Sequence, residues 1–466
     1  MKFHLKMILA SVFLAAQALA QDAAQTRAPS WDKIKHIIVI YQENWSFDGL
    51  YGKFPGADGL DNAGDAVKQV DLKGVPLQVL PQPYKDEKKK VLDDRFPADL
   101  PVAPYDLSKY VPVSETTGDL VHRYYQEQAQ IDGGKMDKFV AGSNNGGLVM
   151  SYFDATNLPE GKLAQEYTLC DRYFHGAFGG SFLNHIFFVA MAPPVFPNAP
   201  DSLKAQLDAD GNLVKDGAVT PDGYGVNTLQ SVNHPHDPKT KPEKLIPSQT
   251  MPTIGDRLSD KKVSWAWYAG GYDDALKGKG GEENGSGEDA FAYHHQPFVY
   301  FKNYADGTRA KKEHLKDEKD LDAILKGGGK LPQVAFVKFL SLDDEHPKDS
   351  DVMRGQQHTA DLVERILKSP YGADCAILIT YDEHGGRWDH VAPPKGDKWG
   401  PGTRVPLIVI SPFAKKGFVD HTPYSTASIL KFIETRFSLE PLNDRDGKAA
   451  NLDNAFDFSV SKGQVE

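Results

Sequence analysis

The stretch HIIVIYQENWSFDGLYG, His36 to Gly52, decides how this chain is read. Ile37 to Tyr41 form an unbroken apolar run that leads into Glu43 and Asn44, two side chains with hard oxygen atoms. Continuous rather than alternating apolar character marks a strand covered on both faces, as in a parallel sheet. Similar runs recur as VSWAWYA from Val263, QVAFVKFL from Gln333, CAILITYDE from Cys375 and VPLIVISP from Val405. Between them lie helical patterns. In QHTADLVERILKSPYG, Ala360, Leu362, Val363, Ile366 and Leu367 share one face, and STASILKFIETRFSL opens on Ser/Thr capping residues. Strands alternating with helices predict an α/β fold built on a mainly parallel sheet flanked by helices.

The strand from Cys375 repeats the design of the first: an apolar run, a tyrosine, then Asp382 and Glu383, then glycine. In an open α/β sheet ligands bind beyond the carboxyl ends of the strands, so two parallel neighbours would deliver both clusters to one edge. Glu43, Asp382 and Glu383 would repel one another strongly in a partly dry cleft. One divalent cation resolves the repulsion; oxygen ligands favour a hard ion such as Ca²⁺, Mg²⁺ or Mn²⁺, with Zn²⁺ also compatible. Ser181, in FGGSFLNHIFFVAMA, follows two glycines and opens an apolar helix, where free backbone amides favour developing negative charge.

The chain begins MKFHLKMILASVFLAAQALA, with Lys2 and Lys6 ahead of an apolar run and an A-x-A pattern ending at Ala20. Residues 1–20 are therefore expected to be a secretory signal peptide, with export to the periplasm or medium and no stable membrane anchor. The formal charge of −11 becomes −13 without Lys2 and Lys6, which argues against nucleic acid as the main partner. Two cysteines, Cys170 and Cys375, are too few for a disulfide framework. Residues 21–466 are expected to form a single domain, with an insertion of loops and hairpins at approximately 193–252, where Asp-Gly pairs separate short strand-like pieces.

In order along the chain, ENWSFDGLYG, HRYYQEQAQIDGGKMDKF, FGGSFLNH, DDEHP and ITYDEHGGRWDHVAPP resemble the bacterial phosphoesterase family that contains acid phosphatase A and the secreted phospholipases C. The resemblance runs from about Ile34 to Arg445. It implies an alkaline-phosphatase-like, doubly wound fold that hydrolyses a small phosphorylated substrate through a serine nucleophile beside a metal. By the matching motifs, Glu43, Asn44, Ser181, Asp382 and Glu383 would surround that metal, and His122, His294, His295 and His346 would line the phosphate pocket with Asn44. Trp45 stands where many relatives carry arginine, and Gly179-Gly180-Ser181 replaces a Gly-Pro-Thr pattern, which brings the chain closer to the acid phosphatase branch. The expected activity is an acid phosphatase working through a phosphoserine, with protonated histidines and an acidic optimum.

Three other readings compete. A phospholipase C would need an apolar rim, for which the aromatics of FAYHHQPFVYF are candidates. A metal-free serine esterase lacks its Gly-x-Ser-x-Gly elbow here and leaves the acidic clusters without a purpose. A non-catalytic binding protein could retain the same fold.

Overall fold

The computed structural model describes residues 30–279 and 291–459. The expected signal peptide and the centre of the Gly-rich segment after Leu276 lie outside them. Among the described residues no helix is long and apolar enough to cross a membrane.

Eight strands form the main sheet: β1 (His36–Gln42), β2 (Thr168–Cys170), β3 (Trp265–Ala269), β4 (Leu315–Asp317), β5 (Val334–Lys338), β6 (Cys375–Tyr381), β7 (Leu407–Ile410) and β8 (Phe418–Asp420). Their spatial order is β4-β3-β5-β1-β6-β7-β2-β8. β1 runs parallel to β5, with Ile37 beside Val334, and parallel to β6, with Gln42 beside Tyr381. β7 is antiparallel to both of its neighbours. Every residue of β3, β5, β6 and β7 is buried, as the continuous apolar runs require.

The flanking helices used below are α1 (Phe47–Tyr51), α2 (Tyr124–Ile131), α3 (Pro159–Glu166), α4 (Ser181–Ala190), α5 (Val352–Lys368) and α6 (Thr426–Phe437). Successive side chains of a strand point to opposite faces. Tyr41 stacks on Phe188 of α4, whereas Gln42 donates to Thr359 of α5 at 2.7 Å. These two helices therefore cover opposite faces of the sheet, and the doubly wound arrangement follows. α5 buries Leu362, Val363 and Ile366 of the expected apolar face, and α6 opens on a capping box of Ser425 and Ser428.

Cys170 and Cys375 are both buried free thiols. They sit on β2 and β6, which β7 separates. The segment 193–252 contains a short antiparallel hairpin, Gln206–Leu207 with Leu213–Lys215.

Candidate active site

Three adjacent parallel strands release their chains at one sheet edge: β5 ends at Lys338, β1 leads into Glu43 and Asn44, and β6 into Asp382 and Glu383. The two acidic clusters thus meet as their strand pattern predicts. Asn44 has φ +67°, a left-handed conformation that asparagine tolerates better than most residues, and it turns the chain sharply after Glu43. Its backbone N–H donates to Asp382 Oδ1 at 3.2 Å. Gly385 (φ +61°) lies so close that a Cβ there would fall 2.2 Å from the Asn44 carbonyl oxygen.

Ser181 is the first residue of α4, reached through Gly179 (φ +92°) and Gly180. A Cβ at Gly179 would come within 2.6 Å of the Tyr124 nitrogen, so only glycine fits. The Ser181 hydroxyl lies 3.0 Å from Glu43 Oε2 and 3.3 Å from Asn44 Oδ1. Glu127 of α2 accepts from the Gly179 N–H, and Asn184 donates to the carbonyls of Ala177 and Gly179, both at 3.0 Å, so the turn before the serine is held on two sides.

Two carboxylate oxygens of the cradle lack partners among the described residues. Asp382 Oδ2 and Glu383 Oε1 are buried and accept no hydrogen bond, whereas Glu43 Oε1 faces a buried ammonium. Such orphaned carboxylate oxygens are rare because desolvated acceptors without partners are destabilising. Burial, followed by the charge of Glu43, pushes the Asp382 carboxyl well above its ordinary range, and burial plus Asp382 does the same to Glu383. Glu43 behaves oppositely. Burial opposes its ionisation, but the Lys338 charge, helped by the hydrogen bond from His295, overcomes that and holds it well below the usual value. Three converging carboxylates with free lone pairs suit a hard divalent cation, which would be held by Glu43, Asn44, Asp382 and Glu383 with Ser181 alongside.

Lys338 and His185 were not anticipated. Lys338 Nζ is 3.0 Å from Glu43 Oε1 and 3.3 Å from Asp344 Oδ2, fully buried. A lone lysine inside an otherwise apolar buried strand must be paired, and that was the available signal. His185, one turn after Ser181, contacts the Ser181 carbonyl oxygen at 2.8 Å through Nδ1.

A cavity of about 240 Å³ opens over Ser181 and Glu43. His122, His294, His295 and His346 all line it, so the four expected histidines come together. Asn44 lies beneath, with its amide nitrogen 3.4 Å from His122 Nε2. The histidines differ in charge. Burial pushes His294 down to about 4 and His295 well below 6.5, so both act as neutral imidazoles. At His346 burial opposes the charge, but Asp119, Glu43 and Asp344 together raise its pKa. The four histidines are therefore not equivalent: desolvation favours the neutral form of His294 and His295, whereas neighbouring carboxylates favour the charged form of His346.

Two buried networks support this edge. Arg404 donates to Asp389 Oδ1 at 2.8 Å and to Asp48 Oδ1 at 3.1 Å, and Asp389 Oδ2 accepts from the Asp48 N–H at 3.0 Å. This clamp ties α1, which follows Asn44, to the loop that follows Glu383; His390 joins it, with Nδ1 2.6 Å from Asp48 Oδ2. Behind the cradle, the Tyr381 hydroxyl lies 3.0 Å from Glu160 of α3 and 2.9 Å from Glu345. Trp45 is buried, donates to the Glu345 carbonyl at 3.1 Å and stacks under Arg387, so it packs rather than shaping the mouth.

The chain is similar to the non-hemolytic phospholipase C of Burkholderia pseudomallei, with 25% identity over 94% of this chain and 61% of that one. It is also similar to phospholipase C B of Mycobacterium tuberculosis, with 25% identity over 92% of this chain and 78% of the relative. It spans about three fifths of the length of the Burkholderia protein. A solved protein of the alkaline phosphatase superfamily from Vibrio parahaemolyticus aligns over 72% of this chain and 73% of its own, at 11% identity and a TM-score of 0.35. The Phosphoesterase family matches residues 34–440, nearly the whole of the described chain, and this protein belongs to it.

Proposed function

We propose that the protein is an exported, metal-dependent phosphoric-ester hydrolase that acts on small phosphomonoesters through Ser181. The observation that carries this reading is the Ser181 hydroxyl, set at a helix N-terminus within 3.0 Å of Glu43 and beside buried carboxylate oxygens that have no other partner. A hard cation held by Glu43, Asn44, Asp382 and Glu383 would supply Lewis acidity, lowering the hydroxyl pKa and polarising a phosphoryl oxygen.

The chain's own groups do the rest. Ser181 Oγ attacks phosphorus as the ester P–O bond breaks, and the proton leaving the serine hydroxyl passes through solvent in the cavity to the departing alkoxide, which leaves as the alcohol. Free N–H groups of the first turn of α4 face the phosphoryl oxygens, with His294 and His346 beside them and His122, whose Nδ1 is held by the Leu120 carbonyl, lining the same pocket. Asn44 orients the hydroxyl from below. Water then cleaves the phosphoserine and restores Ser181.

The lining favours a small polar ester. Among the described residues around the cavity, Ala292 is the sole apolar one apart from Gly180, and the others are polar or charged. Exposed apolar side chains such as Leu72, Val75 and Val214 lie outside it. A second reading, phospholipase C, is favoured by the printed names of the relatives. Turnover of p-nitrophenyl phosphate against phosphatidylcholine micelles separates the two, and a strong preference for the lipid would overturn the choice. Ser181→Ala should lower kcat by about 10³-fold or more while metal binding persists. Unchanged turnover would refute the nucleophile.

A further inference from the structure

We propose that the Lys338 ammonium fills a second cation hole beside the cradle, so that the chain takes one divalent ion where its donor atoms could hold two. The inference rests on the reading above, that a cation sits among Glu43, Asn44, Asp382 and Glu383.

Glu43 faces two ways. Its Oε2 meets the Ser181 hydroxyl at 3.0 Å, on the side of Asn44. Its Oε1 meets Lys338 Nζ at 3.0 Å, on the side of β5. Around Oε1 stands a donor set of the kind that binds transition metals. His295 Nε2 is 3.0 Å from Oε1, and its Nδ1 is 3.8 Å from Asp344 Oδ2. His185 contributes a free lone pair: the Ser181 carbonyl can only accept, so Nδ1 carries the proton of the neutral ring, and Nε2 is left bare. That Nε2 is 4.0 Å from Glu43 Oε1, completely buried, and has no hydrogen-bond partner. Glu43, His185 and His295 offer ligand atoms that all lie within 4.8 Å of one another. Metal-bound histidines ordinarily donate their second nitrogen to a carbonyl or carboxylate, as His185 does here.

Two imidazoles and a carboxylate, with Asp344 beside them, are ligands that suit zinc. The ammonium placed against these oxygens carries one positive charge, is tethered to the strand and cannot be chelated away. It fixes the plane of Glu43 so that Oε2 stays turned to Ser181. Lys338 is thus a positioning residue, and it denies the hole to a second ion by occupation and by like charge.

The test uses the whole purified chain, stripped by chelation, reloaded with Zn²⁺ or Co²⁺ and passed through gel filtration, with bound metal measured by mass spectrometry and visible absorption. Wild type should retain one tight ion, with the weak bands of oxygen-rich cobalt. Lys338→Ala should retain two and gain intense bands from imidazole-bound, low-coordinate cobalt; Lys338→Ala/His185→Gln should fall back to one. A second tight ion in wild type, or a single ion in Lys338→Ala, overturns this inference and leaves the hydrolase reading standing. No tight ion in wild type overturns both. Should Lys338→Ala fail to fold, the wild-type count and cobalt spectrum alone still decide, because a histidine-bound ion beside the lysine is incompatible with the proposal.

Discussion

Arg404→Met tests whether the two halves of the cradle are held by the clamp beneath them. The guanidinium is fully buried, pairs with Asp389 and Asp48, and donates to the carbonyls of Asp58 and Asp171, each at 2.7 Å. Methionine keeps much of the volume but removes the guanidinium from two buried carboxylates, leaving Asp48 on His390 and Asp389 on backbone N–H groups. Removing one partner of a buried ion pair costs about 3–5 kcal/mol, so about 4 kcal/mol is the expected loss. Unfolding entropy of about 2.1 cal/mol/K per residue gives about 1 kcal/mol/K for a chain of 466 residues. The midpoint should therefore fall by about 4 °C in differential scanning fluorimetry at fixed metal concentration. Adding Asp389→Asn removes one of the two buried charges, and the double variant should be more stable than the sum of the singles by about 1–3 kcal/mol. Metal affinity should weaken in Arg404→Met, because Asn44 and Glu383 lose their common tether. A shift below about 1 °C, or strict additivity, would refute the clamp as an energetic link.

The orphaned oxygens of Asp382 and Glu383 predict that metal and fold are coupled. Stripping the ion should lower the melting midpoint, and reloading at a hundredfold excess over Kd should restore about 2.7 kcal/mol, or about 3 °C. A midpoint indifferent to chelator would count against a cation in the cradle. The raised pKa of His346 gives a direction for pH dependence. Its cationic form is complete well below the raised value and is lost as pH climbs through it, so kcat/KM should decline on the alkaline side. His346→Gln should flatten that limb and lower kcat/KM below it. A variant with an unchanged profile would assign the limb to another group.

Much of this site was legible because its carriers are strand ends. The apolar runs before Glu43 and Asp382 told where those side chains emerge, and parallel pairing made them converge. Ser181 could be located from the Gly-Gly turn and the apolar helix after it. The antiparallel sense of β7 could not, since a buried run of four apolar residues, Leu407–Ile410, reads alike in either direction. The role of Lys338 was hidden by position: a charged residue at a strand terminus ordinarily reaches solvent, and only the fold sets it against Glu43 and Asp344. Glu127 and Arg404 were invisible for another reason. Their partners, Gly179 at one and Asp48 at the other, lie 52 and 356 residues away along the chain, and no local pattern records such a meeting. The charge of the histidines likewise depends on surroundings that no local pattern records: burial shifts the His294 pKa down and neighbouring carboxylates shift that of His346 up, although both line one cavity.

The central position of β1 also governs how the chain can fold. Its strand neighbours arrive late: His36 bonds to Pro332 across 296 residues, and Asn44 to Asp382 across 338. Pairings so distant in sequence close slowly, because loop entropy is lost before the contacts form. Until β5 and β6 are available, HIIVIY has two open edges and the β-branched, uncharged character of an aggregation-prone segment. The strand that later carries half the cradle stays open to mispairing during synthesis until β5 and β6 are made, and a fragment ending before Asp382 would lack half of the acidic cluster.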